Sequence, residues 1–248
     1  IRFWDCHKPS DKPEFEVSLS ADENRRQLLQ QVESSADQHP LSPVSLSGKV
    51  DYQHNDEKSA SLVFSGREAY GWNEALEAMH ENELWPSSNV SDQYGRPNVA
   101  KDKARPHGAV LFSRQPGKGR LTTQWAVFLP LDEKTAAETV RCDGQFDFQL
   151  ILHGYFFIDA GRQGIDGQSK FGGDDEVSYT NDKELKSAWN VELARLQVLP
   201  LVLPALDDFC QALKLDDKLK SALTQAVFDT PLWRELRAAI CRQDAWLR

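Results

Sequence analysis

The sequence predicts an α/β chain of the α+β kind: a mixed, largely antiparallel sheet with flanking helices, followed by a helical C-terminal segment. Three observations carry that expectation. Short stretches before residue 160 alternate apolar and polar residues, or run apolar between turn residues, which marks strands. Beyond residue 181 the apolar residues fall at helical spacing, interrupted at Pro200 and Pro204. With 40% hydrophobic residues and seven tryptophans in 248, the chain has the material for a sizeable core.

Residues 1–107 form the expected N-terminal α/β portion. "IRFWDC" and "EFEVSLS" read as short strands around the turn "KPSDKP". In "SADENRRQLLQQVESSADQ", Ser20 is the expected N-cap and Glu23 completes a capping box, with Leu28, Leu29 and Val32 as a narrow apolar stripe. Alternation in "VSLSGKVDYQ" and the run "SASLVFSG" predict two further strands. "REAYGWNEALEAMHENELW" predicts a helix that gathers Trp72, Leu76, Met79 and Leu84 near one face. The connection 85–107 holds Pro, Gly, Ser and Asn throughout without periodicity, so a mobile loop is expected there.

Residues 108–181 carry the strongest strand signal. "GAVLFSRQPGKGRLTTQWAVFLPL" predicts two strands joined as a hairpin through Pro116 to Gly119. "GQFDFQLILHGYFFID" predicts a long aromatic strand, in which Phe146, Phe148, Leu150 and Leu152 alternate with more polar neighbours. A glycine-rich loop follows, with Arg162, Gln163, Gln168 and Lys170. Residues 182–248 are the expected C-terminal helices, the last of them opened by Thr230 as N-cap and Pro231 in its first turn.

Composition narrows the functional classes. A net charge of −9 makes nucleic acid an unlikely partner, because duplex binding rests on Lys and Arg neutralising phosphates. Cys6, Cys142, Cys210 and Cys241 are scattered, neither at metal-ligand spacing nor as a disulfide framework, so a reducing cytoplasm is the expected setting. No apolar run reaches the length of a membrane span and no signal peptide is visible, so no membrane partner is expected. The opening "IRFWDCHKP" carries no initiator methionine, and Met79 is the only Met, so the chain is expected to be a piece of a longer protein.

Self-contained catalytic motifs are absent. There is no G-x-x-x-x-G-K-[ST], no G-x-G-x-x-G, no G-x-S-x-G and no H-E-x-x-H. His153, inside the aromatic strand, reads as a hydrogen-bonded core residue rather than a ligand. The basic run Lys101, Lys103, Arg105 and His107 reads as solvated surface ahead of an anion site. Arg162 stands apart. It follows an apolar strand and lies between Gly161 and Gln163, where glycine lets backbone approach a ligand and a guanidinium offers a fork of donors to phosphate oxygens. Gln163 and Gln168 have the chemistry to orient a water or cap a phosphate.

The order "WAVFLPL", "LHGYFFIDAGRQGI", "AWNVELARLQVLPLVLPAL" resembles the region after the nucleotide-binding domain in sacsin-type members of the GHKL ATPase superfamily, which includes gyrase, the ninety-kilodalton heat-shock chaperone and the mismatch-repair ATPases. The resemblance spans about residues 108–210. It rests on Phe128-Leu129-Pro130, Gly154-Tyr155-Phe156-Phe157, Arg162, Trp189-Asn190 and Leu193. It implies a transducer-like α/β domain whose basic loop residue reaches the γ-phosphate of ATP held by the preceding domain. Arg162 takes that position, with Gln163 beside it as the second catalytic candidate, and Lys170 and Gln168 are the cofactor-facing candidates. The superfamily's own nucleotide-binding motifs, an E-x-x-x-N helix and glycine-rich lids, are absent. No cofactor is therefore expected on these residues alone, and ATP and magnesium are implied for the longer protein.

Two functions follow as expectations. The first is an ATPase transducer, inactive alone and dependent on the preceding nucleotide-binding domain as partner. The second is a non-enzymatic interaction or scaffold domain of a chaperone-like or bacterial defence protein, binding a protein partner or a second copy of itself.

Overall fold

The computed structural model describes residues 2–3, 15–21, 23–34, 43–54, 58–86, 100–127, 129–130, 137–141, 145–159, 161, 164–173, 177–232 and 234–237. Nine strands form one sheet: β1 (Arg2–Phe3), β2 (Phe15–Ala21), β3 (Val44–His54), β4 (Lys58–Tyr70), β5 (His107–Pro116), β6 (Arg120–Val127), β7 (Leu129–Pro130), β8 (Ala137–Arg141) and β9 (Phe146–Gly154). Their order is β1-β2-β3-β4-β5-β9-β6-β7, with β8 also on β6. Every pairing is antiparallel except β6 with β9. The helices are α1 (Arg25–Ser34), α2 (Glu74–His80), α3 (Ala100–Lys103), α4 (Asp182–Leu193), α5 (Val202–Ala212) and α6 (Asp217–Phe228). This is the α+β class the patterning predicts: among the described residues, α1 to α3 fall between strands and α4 to α6 follow the last strand.

Strand alternation explains the layers. Val110 and Phe112 of β5, Phe148, Leu150 and Leu152 of β9, and Leu121 and Trp125 of β6 are all buried in one core cluster with Trp189, Leu193, Val202 and Phe209 of α4 and α5. Phe209 sits between two strands, its ring 5.7 Å from Phe112 and 6.3 Å from Phe148. Each such side chain fully removed from water is worth about 1.5–3 kcal/mol. A smaller cluster joins Leu28 of α1 to Val44 and Tyr70.

Several local expectations are corrected. The helix predicted over 67–85 is only Glu74–His80, because Arg67 to Tyr70 complete β4. Two charged residues there reach opposite neighbours: Arg67 pairs with Asp208 of α5 at 2.6 Å, and Glu68 with Arg25 of α1 at 2.9 Å. Asn73 then caps α2 by accepting from the Leu76 amide at 3.0 Å. Ser20 belongs to β2 rather than to a capping box, and α1 starts at Arg25 with the Leu28 amide bonded to Asn24 O. Thr230 is buried and its hydroxyl donates backwards to Val227 O at 2.7 Å, at the end of α6.

The expected hairpin at Pro116 to Gly119 is not one. β9 inserts between β5 and β6, antiparallel to the first and parallel to the second. The turn itself explains the insertion: the Asp147 carboxylate accepts from the amides of Lys118 (2.8 Å) and Arg120 (3.1 Å), and the Gly117 amide donates to Gln145 O (3.0 Å). Gly117 is required, since a Cβ there would overlap the Asp147 carboxyl group. Nor does the sheet divide at residue 107, because Tyr70 and Ala69 of β4 pair with His107 and Gly108 of β5.

The connection 85–107 is packed at both ends. Trp85 and Ala104 belong to the core, and the Trp85 indole donates to Met79 O at 2.8 Å. Its middle, residues 87–99, lies outside the described residues. After α4 the chain passes through a π-helical turn (Ala194–Val198) and a 3-10 turn (Leu199–Leu201) holding Pro200, so the predicted break falls there. Pro204 sits in the first turn of α5, where its missing N–H leaves no helical bond unmade.

Candidate functional site

The chain leaves β9 at Gly154 and builds a small antiparallel stem. Ile158 pairs with Ile165, the Asp159 amide donates to Gly164 O, and the Asp166 amide donates to Phe157 O, both at 3.1 Å. Phe156 and Ile165 are buried. Arg162 and Gln163 lie outside the described residues, so their side chains have no place in this geometry. In the sequence they fall between the two paired isoleucines.

Asn190 of α4 fixes the base of that stem. Its carbonyl oxygen accepts from the Phe157 amide (2.8 Å), while its amide nitrogen donates to Phe157 O (2.7 Å) and Asp166 O (2.9 Å). The residue has no exposed surface, while its partners Phe157 and Asp166 are half-buried. Asn190 therefore joins the two strands of the stem to the main helix layer.

A second turn follows directly. Gly167 takes φ +79°, which only glycine adopts freely, and a Cβ there would overlap the Ser187 hydroxyl. Gln168–Lys170 then form a single 3-10 turn, with Gln168 half-buried and Lys170 exposed. The next residue, Phe171, is fully buried against Trp125 (5.1 Å between ring centroids) and Phe156 (6.0 Å). Residues 164–171 are thus anchored rather than hung from the strand end.

Arg195 closes this segment from below. It is buried in the π-helical turn, and its guanidinium donates to the carbonyls of Lys170 (2.7 Å), Phe171 (3.1 Å) and Gly173. Glu192 supplies a carboxylate at 3.3 Å. Sequence reasoning did not single out Arg195. Its signal was a charge inside the apolar run "VELARLQVLPL", where only a paired or carbonyl-bound cation is tolerated. Asn190 was noted for its motif, but not for its bonds to a loop more than twenty residues earlier.

The remaining candidates separate. In the basic run, Lys101 lies 3.6 Å from Glu81, Arg105 donates to Asp102 O, and Lys103 is exposed. His107 corrects the surface reading: it is 6% exposed, and neither ring nitrogen has a hydrogen-bond partner. Its ring stands 5.8 Å from His153 and 5.5 Å from Tyr155. Burial drives His107 down to about 3, helped by His153 and the Arg25 charge. His153 is the hydrogen-bonded residue expected, with Nδ1 3.1 Å from Ala126 O, and burial lowers its pKa as well. Among the described residues no group of three or more His, Cys, Asp or Glu is arranged to hold a metal ion, and no helix is long and apolar enough to cross a membrane.

Comparison of the chain with protein-family models, with curated proteins and with solved structures returns no match.

Proposed function

We propose that this chain is a transducer-type module of a GHKL-like ATP-binding protein, bringing Arg162 and Gln163 to the γ-phosphate of ATP held by a preceding domain. The observation that supports this reading is the stem that brackets Arg162 in the sequence, whose two sides are tied by Asn190 to helix α4. A cation that meets developing phosphate charge needs a rigid base, because misplacement forfeits most of its effect. Lys170, exposed on the anchored turn that continues from the stem, is the second cation available to the same ligand. ATP and its magnesium ion belong to the preceding domain, and these residues contribute positioning and charge.

The test compares two chains. A protein that includes the sequence upstream of Ile1 should hydrolyse ATP, whereas residues 1–248 alone should not. Ordinary ATP turnover by the purified 248-residue chain, with contaminating ATPases excluded, would refute the dependence on a preceding domain. A non-enzymatic partner-binding module is the second reading. It is favoured by Leu19, which is 61% exposed on β2 and stands in register with Gly48 and Phe64 across β3 and β4.

A further inference from the structure

We infer that Arg195 is the positioning residue of this site: it fixes the backbone from Lys170 to Gly173 and so aims Lys170, an inference that rests on the transducer reading. A buried arginine needs partners for a charge and a planar fork of donors. Here the fork reaches main-chain carbonyls of one short loop, Lys170, Phe171 and Gly173, and the Glu192 carboxylate. Glu192, one turn earlier, is 13% exposed and balances the charge. The arrangement ties three carbonyls within four residues to one rigid group.

The place of Arg195 in the fold gives this grip its purpose. The π-helical turn carries an extra residue relative to an α-helix, and such turns re-aim side chains at functional positions. Two residues further on, Gln197 donates to Gly71 O at 2.7 Å, where β4 leads into α2. The same turn therefore touches the loop on one side and the β4–α2 junction on the other. Asn190, slightly over one helical turn before Arg195, holds the stem. Stem and turn are fixed from one continuous helical segment, by one amide and one guanidinium. Lys170 itself takes no part in the core and is exposed.

The test uses the ATP-hydrolysing protein that includes the upstream sequence, with Arg195→Lys and Arg195→Met. Lysine keeps the charge beside Glu192 and so protects the fold, but its single nitrogen cannot stand at the separate Nε and Nη positions of the guanidinium fork. Amide exchange over residues 168–173 should rise in Arg195→Lys while β9 and α4 keep wild-type protection. Turnover should fall roughly tenfold to a hundredfold, the scale of a small misplacement, with KM for ATP within about twofold of wild type. Arg195→Met should fall further in the same direction. Unchanged exchange in 168–173 would overturn the inference, and so would loss of protection spread equally over β9 and α4. Undiminished turnover in Lys170→Ala would overturn the claim that the loop serves Lys170. Wild-type turnover in Arg162→Ala would instead strike the transducer reading, leaving the exchange result to stand or fall separately.

Discussion

Asn190 shows how much one side chain can hold. Its three hydrogen bonds satisfy main-chain groups on both sides of the stem, so Asn190→Ala leaves the Phe157 amide and Asp166 O without that partner, while Phe157 O keeps its bond from the Asp166 amide. The expected loss is about 2–4 kcal/mol, read as a lower denaturant midpoint at unchanged slope. Asn190→Asp should be no better, because a carboxylate cannot donate to Phe157 O and Asp166 O. His107 makes a second residue-scale prediction. Its folded pKa is driven far below the ordinary histidine value, to about 3, so the unfolded chain takes up a proton first. The stability it contributes is full above about pH 6.5 and is lost progressively as pH falls below that value. His153, Tyr155 and Arg25 act on it, Glu68 is paired with Arg25, and Arg25 opposes a new positive charge. His107→Phe should flatten the fall in melting temperature between about pH 6.5 and pH 4. An unaltered slope in that window would place the acid sensitivity elsewhere.

At the scale of elements, the turn 116–119 ties strand order to one carboxylate. Burial raises the Asp147 pKa, but the amides of Lys118 and Arg120 and the Arg120 charge outweigh it and hold the group below the usual carboxylate range. Asp147→Ala should cost about 1–2 kcal/mol, in the range of a lost cap, and Asp147→Asn less because one acceptor remains. Gly117→Ala should mimic Asp147→Ala by displacing the same side chain, and the pair should be non-additive in a double-mutant cycle. Strictly additive losses would show that the two do not share one mechanism. This turn also shows what a sequence can and cannot reveal. The alternating residues of β5, β6 and β9 were legible, since one face of each strand is apolar. Their order was not, because Pro-Gly-Lys-Gly is chemically a hairpin turn and nothing local announces that Asp147, about thirty residues later, will occupy it. The helix predicted over 67–85 failed for a related reason. Arg67 and Glu68 look like helix surface until Asp208 and Arg25 claim them from opposite layers. The loop candidates were readable as residue types, while the anchors beneath them, Asn190 and Arg195, act across more than twenty residues.

Across the whole molecule, one sheet carries the chain from β1 to β9, and the helices after it lock the segment that leaves its centre. β9 is a central strand, flanked by β5 and β6, and the stem follows directly from its end. The central claim of the proposed function is that Arg162 serves phosphate chemistry without being needed for stability. Its most direct measurement is Arg162→Ala in the protein that includes the upstream sequence, with turnover, melting temperature and ATP affinity taken on the same preparation. The account predicts turnover reduced on the order of a thousandfold, as for loss of a cation at a transferring phosphate. Stability should change by no more than about 0.5 kcal/mol, as for an ordinary surface substitution. ATP affinity should be little altered, and Arg162→Lys should recover only part of the turnover. Full turnover in Arg162→Ala would contradict the claim and leave a partner-binding module as the better description.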